Sequence, residues 1–201
     1  MNKCCNNLVS NRRAAGKIEK EEGYAMNIAV FCGSTNGNRP SYIQVAKELG
    51  TYIGDTHKGL VYGASDCGLM GVLARAAYEH GACIHGVGLE MFESTIGSFE
   101  CLSDIYVAKT FGERKSKMIS MSDAFVALPG GSGTLDEVSD ILCVGNFDCP
   151  NKPIIFLNVD GYYEDLKNFL YHAVDEGFIL AEHMKRVFFI SSIEELPEIL
   201  D

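Results

Sequence analysis

Apolar residues in this chain fall into short unbroken runs, separated by longer stretches where they recur every three or four positions. The runs Asn27–Cys32, Gly59–Tyr62, Ala82–Val87, Asp104–Val107, Ala124–Leu128, Pro153–Asn158 and Val187–Ile190 read as strands, short and apolar enough to be buried on both faces. Between them, Pro40–Ile53, Leu69–His80, Arg114–Ser122, a segment after Gly133, Tyr163–Asp175 and Ile193–Leu200 carry helical spacing. Gly33, Gly63, Gly81 and Gly177 punctuate the junctions.

This alternation predicts an α/β protein: a Rossmann-like, doubly wound parallel sheet of about six to seven strands with helices on both faces. In such sheets ligands sit beyond the carboxyl ends of the strands. Those ends carry Gly33-Ser34, Gly63-Ala64-Ser65 and Pro129-Gly130-Gly131, so three small-residue turns are expected along one edge. Residues 26–201 are expected to form one domain. Residues 1–25 lack clear periodicity and read as a disordered extension, a vector remnant or an upstream false start, with Met26 directly before the first strand.

The 201 residues are enough for one full-sized core, and 47% hydrophobic with 22% charged residues is an ordinary globular composition. The formal net charge of −10 argues against a broad nucleic-acid or anionic-membrane surface, yet leaves room for a small phosphorylated ligand in a local pocket. The eight cysteines form no C-x-x-C pair, and their apolar surroundings suit free thiols in a reduced, cytoplasmic protein. The five histidines are scattered without ligand spacing, so surface or satisfied structural roles are expected.

The most informative stretch is Pro129-Gly130-Gly131-Ser132-Gly133-Thr134-Leu135-Asp136-Glu137, between the run Ala124–Leu128 and the helical positions Val138, Ile141 and Leu142. A glycine turn opening a helix gathers free N–H groups under the positive end of the helix dipole, which suits a phosphate. Glu137 then lies about one turn into the helix. Two readings are open for it: an acid favoured by the dipole, or a catalytic carboxylate beside a bound phosphate ester. Upstream stands Gly112-Glu113-Arg114-Lys115-Ser116-Lys117-Met118. By itself it reads as a solvated basic helix face, although the planar guanidinium of Arg114 suits phosphate or carboxylate.

Taken together, Arg114-Lys115 followed by P-G-G-x-G-T-x-x-E at Pro129–Glu137 resembles the Lonely Guy (LOG) family. Its members are cytokinin riboside 5′-monophosphate phosphoribohydrolases, often mislabelled lysine decarboxylases. The likeness extends to Val30–Ser34, Val61–Gly63, Gly68–Gly71, Asp123–Phe125, Asn158–Tyr163 and Ala173–Phe178. It implies hydrolysis of the N-glycosidic bond of a purine nucleoside 5′-monophosphate, N6-modified adenosine among them, releasing free base and ribose 5-phosphate. The transition state should resemble an oxocarbenium ion. The resemblance makes Glu137 the catalytic carboxylate and Arg114 its partner, holding the acid ionised as a nearby cation does. It puts the 5′-phosphate on the amides of Gly130, Gly131, Ser132, Gly133 and Thr134 and on the Thr134 hydroxyl, with Gly33 and Ser34 lining the site.

Some roles stay open. Lys115 either adds charge at the phosphate or points to solvent; Asp136 either touches the ribose or only favours the helix N-terminus. Glu93 stands near where the family has a substrate-contacting acid. Met91 and Phe92 either line a pocket for an N6 substituent or pack in the core, core packing being commoner. Tyr162-Tyr163 reads as packing at a helix start rather than as a stacking surface for a base. The resemblance implies no metal or redox cofactor, a homodimer formed near the Arg-Lys helix, and no nucleic-acid or membrane partner.

This chain departs from the family at Ala64, where a further Gly is common and the extra methyl narrows the approach to a ligand. It departs also at Ser132, at Gly112 in place of a common His, and across Cys143–Cys149. The rival reading is a non-catalytic carrier of a nucleotide or molybdopterin-type cofactor built on the same fold. Lysine decarboxylation would need pyridoxal phosphate on a Schiff-base lysine, and Lys115 has no such context.

Overall fold

A computed structural model describes residues 26–92, 101–144 and 152–200. The expectations for residues 1–25, for Glu93 and for most of the Cys143–Cys149 segment lie outside these. The strands are β1 (Asn27–Phe31), β2 (Gly59–Tyr62), β3 (Ile84–Leu89), β4 (Asp104–Ala108), β5 (Ala124–Ala127), β6 (Ile154–Leu157) and β7 (Val187–Ile190). They form one all-parallel sheet in the order β4-β3-β2-β1-β5-β6-β7. The helices are α1 (Pro40–Asp55), α2 (Gly68–Glu79), α3 (Phe111–Met121), α4 (Ser132–Val144), α5 (Glu164–Asp175) and the short α6 (Pro197–Leu200).

The strand runs are apolar throughout because both faces are covered. On one face Ile28, Val30, Leu60 and Tyr62 meet Leu49 and Ile53 of α1, Leu73 of α2, and Leu200. On the other, Ala29, Phe31, Val61 and Phe125 meet Met118 of α3, Val138 and Ile141 of α4, and Tyr163. Each fully buried large side chain contributes on the order of 2 kcal/mol of transfer free energy. The helical spacing marks the inward stripes, and side-chain capping is sparse, so packing rather than capping holds most helices.

Most element ends fall within one or two residues of expectation, and three elements differ in an instructive way. The third strand begins at Ile84 and runs to Leu89, because Gly88 and Leu89 pair with Val107 and Ala108 of β4. The third helix starts at Phe111 rather than Arg114, since Thr110 caps it by accepting from the Glu113 N–H at 3.1 Å. The C-terminal helix divides into a single 3₁₀ turn at Ile193–Glu195 and α6, with Pro197 unable to continue the preceding hydrogen bonds.

Strand order reverses between β1 and β5, the topological switch point of the sheet. There the Gly33 N–H donates to the Pro129 carbonyl at 3.0 Å, joining the turn after β1 to the turn after β5.

Candidate active site

Beyond the switch point lies a cavity of about 510 Å³. Gly33 and Ser34, Gly63 to Ser65, and Gly131 to Thr134 line it, so the three expected turns do converge. Arg114 and Glu137 share one wall, and Met70, Leu89, Phe92 and Phe111 form an apolar side.

The first main-chain bond at the start of α4 runs from the Leu135 N–H to the Gly131 carbonyl at 3.0 Å. The amides of Ser132, Gly133 and Thr134 precede it and face the cavity end of the helix dipole. Thr134 and Glu137, three residues apart, share one face of α4. A methyl on Gly130 would come within 2.2 Å of Thr134 Oγ1. Only glycine lets the turn seat against the helix there.

Arg114 sits in the first turn of α3, whose N-terminus is pinned by Glu113. That carboxylate accepts from the Tyr106 hydroxyl at 2.6 Å and the Lys109 N–H at 2.9 Å. The Arg114 Nε donates to the Val87 carbonyl at 2.8 Å, and Nη1 donates to Glu137 Oε1 at 2.7 Å. Both side chains are 13% exposed. Burial pushes the Glu137 carboxyl above the ordinary glutamate range, and Arg114 opposes the shift without cancelling it. Arg114 acts in the direction the resemblance implies, favouring the ionised acid, and desolvation is the added contribution, invisible before the cavity is built. Cys32, against the same wall, has its thiol pushed far up, first by burial and then by the Glu137 charge. It is an inert thiol, not a nucleophile.

Lys115 takes neither of its expected places. Its side chain is 14% exposed, and the ammonium bridges Asp136 Oδ1 and Asp140 Oδ2, each at 3.1 Å, tying α3 to α4. Asp136 is spent in that pair with its carboxylate facing outward. Positions 115, 136 and 140 meet across two helices, a proximity no single-helix spacing contains.

Phe92 is 48% and Met91 69% exposed, so neither is a core residue; Phe92 lines the cavity and Met91 does not. Phe111, 54% exposed, joins the apolar wall without any signal in the motif. Among the described cysteines, Cys67 and Cys143 are exposed rather than buried in apolar surroundings. Ala64 adopts φ +58°, a left-handed conformation that favours the glycine common there, and its methyl is buried. Of the histidines, His85 is buried and bonded to Asp104 at 2.8 Å across β3 and β4, a satisfied structural role.

The sequence placed Gly63 in a turn at this edge but not against Arg114, whose Nη2 would lie 2.1 Å from a methyl added there. Sequence reasoning missed the Val87 carbonyl, a backbone group that no side-chain motif records.

A doubly wound parallel sheet with a glycine turn, a helix N-terminus and a buried Arg–Glu pair around a cavity at its switch point defines a Rossmann-like protein. The sequence matches the family described as "Possible lysine decarboxylase" over residues 70–200. It is 38% identical over 168 residues to a cytokinin riboside 5′-monophosphate phosphoribohydrolase of Arabidopsis thaliana, covering 81% of this chain and 75% of that one. A second Arabidopsis thaliana enzyme of the same name is 40% identical over 158 residues, 76% of this chain and 71% of its own. This protein belongs to that family, the Lonely Guy family. In fold it is similar to the molybdenum cofactor binding protein of Rippkaea orientalis, with a TM-score of 0.66 at 23% identity over 87% of this chain and 94% of that one.

Proposed function

We propose that this protein hydrolyses the N-glycosidic bond of purine nucleoside 5′-monophosphates, N6-modified adenosine monophosphates of the cytokinin type among them, releasing free base and ribose 5-phosphate. The observation that carries the reading is the Arg114–Glu137 pair standing beside the α4 N-terminus in one cavity. Phosphate capture alone calls for donors; a half-buried carboxylate beside them works against an anion unless it serves a reacting centre.

In this reading the 5′-phosphate rests on the amides of Gly131, Ser132, Gly133 and Thr134, with Gly130 shaping the turn and Ser34 on the opposite lip. Glu137 lies about 7.5 Å farther along the helix axis than Ser132, a distance suited to the sugar of a nucleotide bound at the turn. From there its ionised carboxylate orients a water toward C1′ and stabilises the positive charge that develops on the ribose as the bond to the base breaks. Arg114, anchored at Val87, holds that carboxylate in place. The base lies toward Met70, Leu89, Phe92 and Phe111, whose apolar surface suits an N6 substituent. Among the described residues the cavity lining holds no lysine that could carry pyridoxal phosphate, and the Arg114–Glu137 pair there suits a hydrolase better than a decarboxylase.

The same proposal includes a homodimer formed about α3, for which the exposed Phe111 is the supporting feature, and a cytoplasmic site of action, supported by the buried free thiols Cys32 and Cys83. Among the described residues no helix is long and apolar enough to cross a membrane.

The test is a panel of purine nucleoside 5′-monophosphates, AMP and isopentenyladenosine monophosphate included, assayed for free base by chromatography. Base released from at least one is expected. No release from any of them, together with a purified nucleotide or cofactor that stays bound intact, would replace the hydrolase by the carrier.

A further inference from the structure

Three successive carbonyls of the turn after β5 are each held by a hydrogen bond from outside the turn. The Tyr163 hydroxyl donates to the Leu128 carbonyl at 2.6 Å. The Gly33 N–H donates to the Pro129 carbonyl at 3.0 Å. The Tyr162 hydroxyl donates to the Gly130 carbonyl. The peptide bonds of the described residues are all trans, so the C=O and N–H of one unit point to opposite sides. A carbonyl drawn outward at Gly130 therefore turns the Gly131 N–H the other way, and Gly131 lines the cavity.

The segment carrying the two tyrosines is braced for this. Asp160 and Gly161 adopt φ of +53° and +72°, folding the chain back toward the turn. Asp160 Oδ2 accepts from Ser41 Oγ at 2.6 Å and lies 3.5 Å from Arg39 Nη1, at the start of α1. Asn158 Oδ1 accepts from the Tyr163 N–H at 2.6 Å. The Tyr162 ring meets Tyr42 edge-on at 5.5 Å and Tyr163 at 5.0 Å. The two hydroxyls differ in setting. Tyr163 is buried against Phe156 and belongs to the core. Tyr162 is 41% exposed, so core packing gives little reason for its hydroxyl to reach Gly130.

We propose that Tyr162 is a positioning residue of the anion site: by holding the Gly130 carbonyl it aims the Gly131 N–H at the phosphate. This rests on the reading of the turn as a phosphate site. A donor already aimed needs no reorientation when the anion arrives, which is how preorganised dipoles gain strength. Without the phenol, the Gly130–Gly131 peptide has one fewer restraint on its rotation.

Tyr162→Phe keeps the ring contacts and removes the hydroxyl. Calorimetric titration of wild type and variant with ribose 5-phosphate, inorganic phosphate and adenine separates the possibilities. Affinity for the two phosphates should fall about threefold to tenfold, the effect of one ordinary hydrogen bond. Adenine affinity should stay the same, and with AMP the loss should appear in KM more than in kcat. Equal weakening of adenine and ribose 5-phosphate would make Tyr162 a general structural residue and overturn the proposal. Unchanged phosphate affinity, or a wild type that binds no phosphate at all, would overturn it as well. A wild type that binds phosphate yet releases no base would sink the hydrolase reading alone, and the Tyr162 comparison would still decide this one.

Discussion

Arg114 grips Glu137 at 2.7 Å with one guanidinium nitrogen while another is fastened to the Val87 carbonyl at 2.8 Å. The pair is thus oriented from β3 as well as from its own helices. Backbone anchoring of the cation costs little side-chain entropy on substrate binding and keeps the carboxylate in one rotamer. A lysine would present one point charge in place of the planar fork whose separate nitrogens reach the two partners here.

Replacing Glu137 by Gln preserves size and the ability to accept from Arg114 but removes the charge. Turnover should fall by about 10²–10⁴-fold, the range of a positioned acid–base group. Ribose 5-phosphate affinity should stay within a fewfold of wild type. Steady-state base release alongside calorimetry checks both, and a variant with normal turnover would remove Glu137 from the chemistry.

Gly63→Ala tests the anchoring of Arg114. Its methyl would lie 2.1 Å from Nη2, and the atom it meets is the end of a flexible side chain. The fold should tolerate the change, with little shift in Tm, while the guanidinium is driven off its seat. Base release should drop more than about tenfold, the consequence of losing an oriented charge contact worth about 1.5–3 kcal/mol. Full activity in a well-folded Gly63→Ala protein would mean that the Arg114 position is not critical.

The buried Glu137 also predicts a pH dependence. Its carboxyl is raised by burial, with Arg114 opposing. If the ionised form is the working one, the acid limb of kcat/KM lies above the ordinary glutamate value of about 4.3. For folding the sign runs oppositely: the favourable contribution is complete below the unfolded value and is lost as pH rises through the raised folded value. Glu137→Gln should therefore gain stability relative to wild type across that interval. Denaturant melts at several pH values, read beside the rate profile, check the two halves independently.

His85 offers a second titration, and it is not among the residues that line the cavity. Burial works against its charge, but hydrogen bonds to Asp104 and Cys83 outweigh it and push the imidazolium up to about 10. Its stabilising contribution should be complete below about pH 6.5 and decline as pH rises toward 10. His85→Gln should flatten that slope in urea melts. An identical pH slope in both proteins would show that His85 is not held as the cation.

Lys115→Met should lower stability through the lost bridge to Asp136 and Asp140, while leaving phosphate affinity within about twofold, because its ammonium is turned from the cavity to those carboxylates. A tenfold loss of ribose 5-phosphate affinity would return Lys115 to the anion site.

Much of the architecture was legible because burial on both faces writes itself into a strand. Asn27–Phe31 and Ala124–Ala127 are apolar at every position but the first of β1, and only a covered parallel sheet makes that pattern stable. Boundaries were less legible: β3 extends through Gly88 and Leu89 because its neighbour offers pairing partners there, information held in β4. Within the site, the glycine turn and the Arg114 and Glu137 positions stood out as local motifs. The reach of Tyr162 to Gly130, the place of Phe111 and the seat of Arg114 on Gly63 did not, since each depends on a neighbour distant in sequence.

By itself, then, the sequence determined a doubly wound α/β chain and the turn that opens α4, because these depend on residue type and short-range spacing, while the family resemblance singled out Glu137 and Arg114. Only the tertiary structure decided what those groups face. It joined Gly33 to Pro129 at the switch point, turned Lys115 away to Asp136 and Asp140, and buried Glu137 deeply enough that desolvation outweighs Arg114. The reason is physical: contact, direction and solvent exclusion are properties of packed elements, and they exist only once strands from both halves of the chain lie side by side.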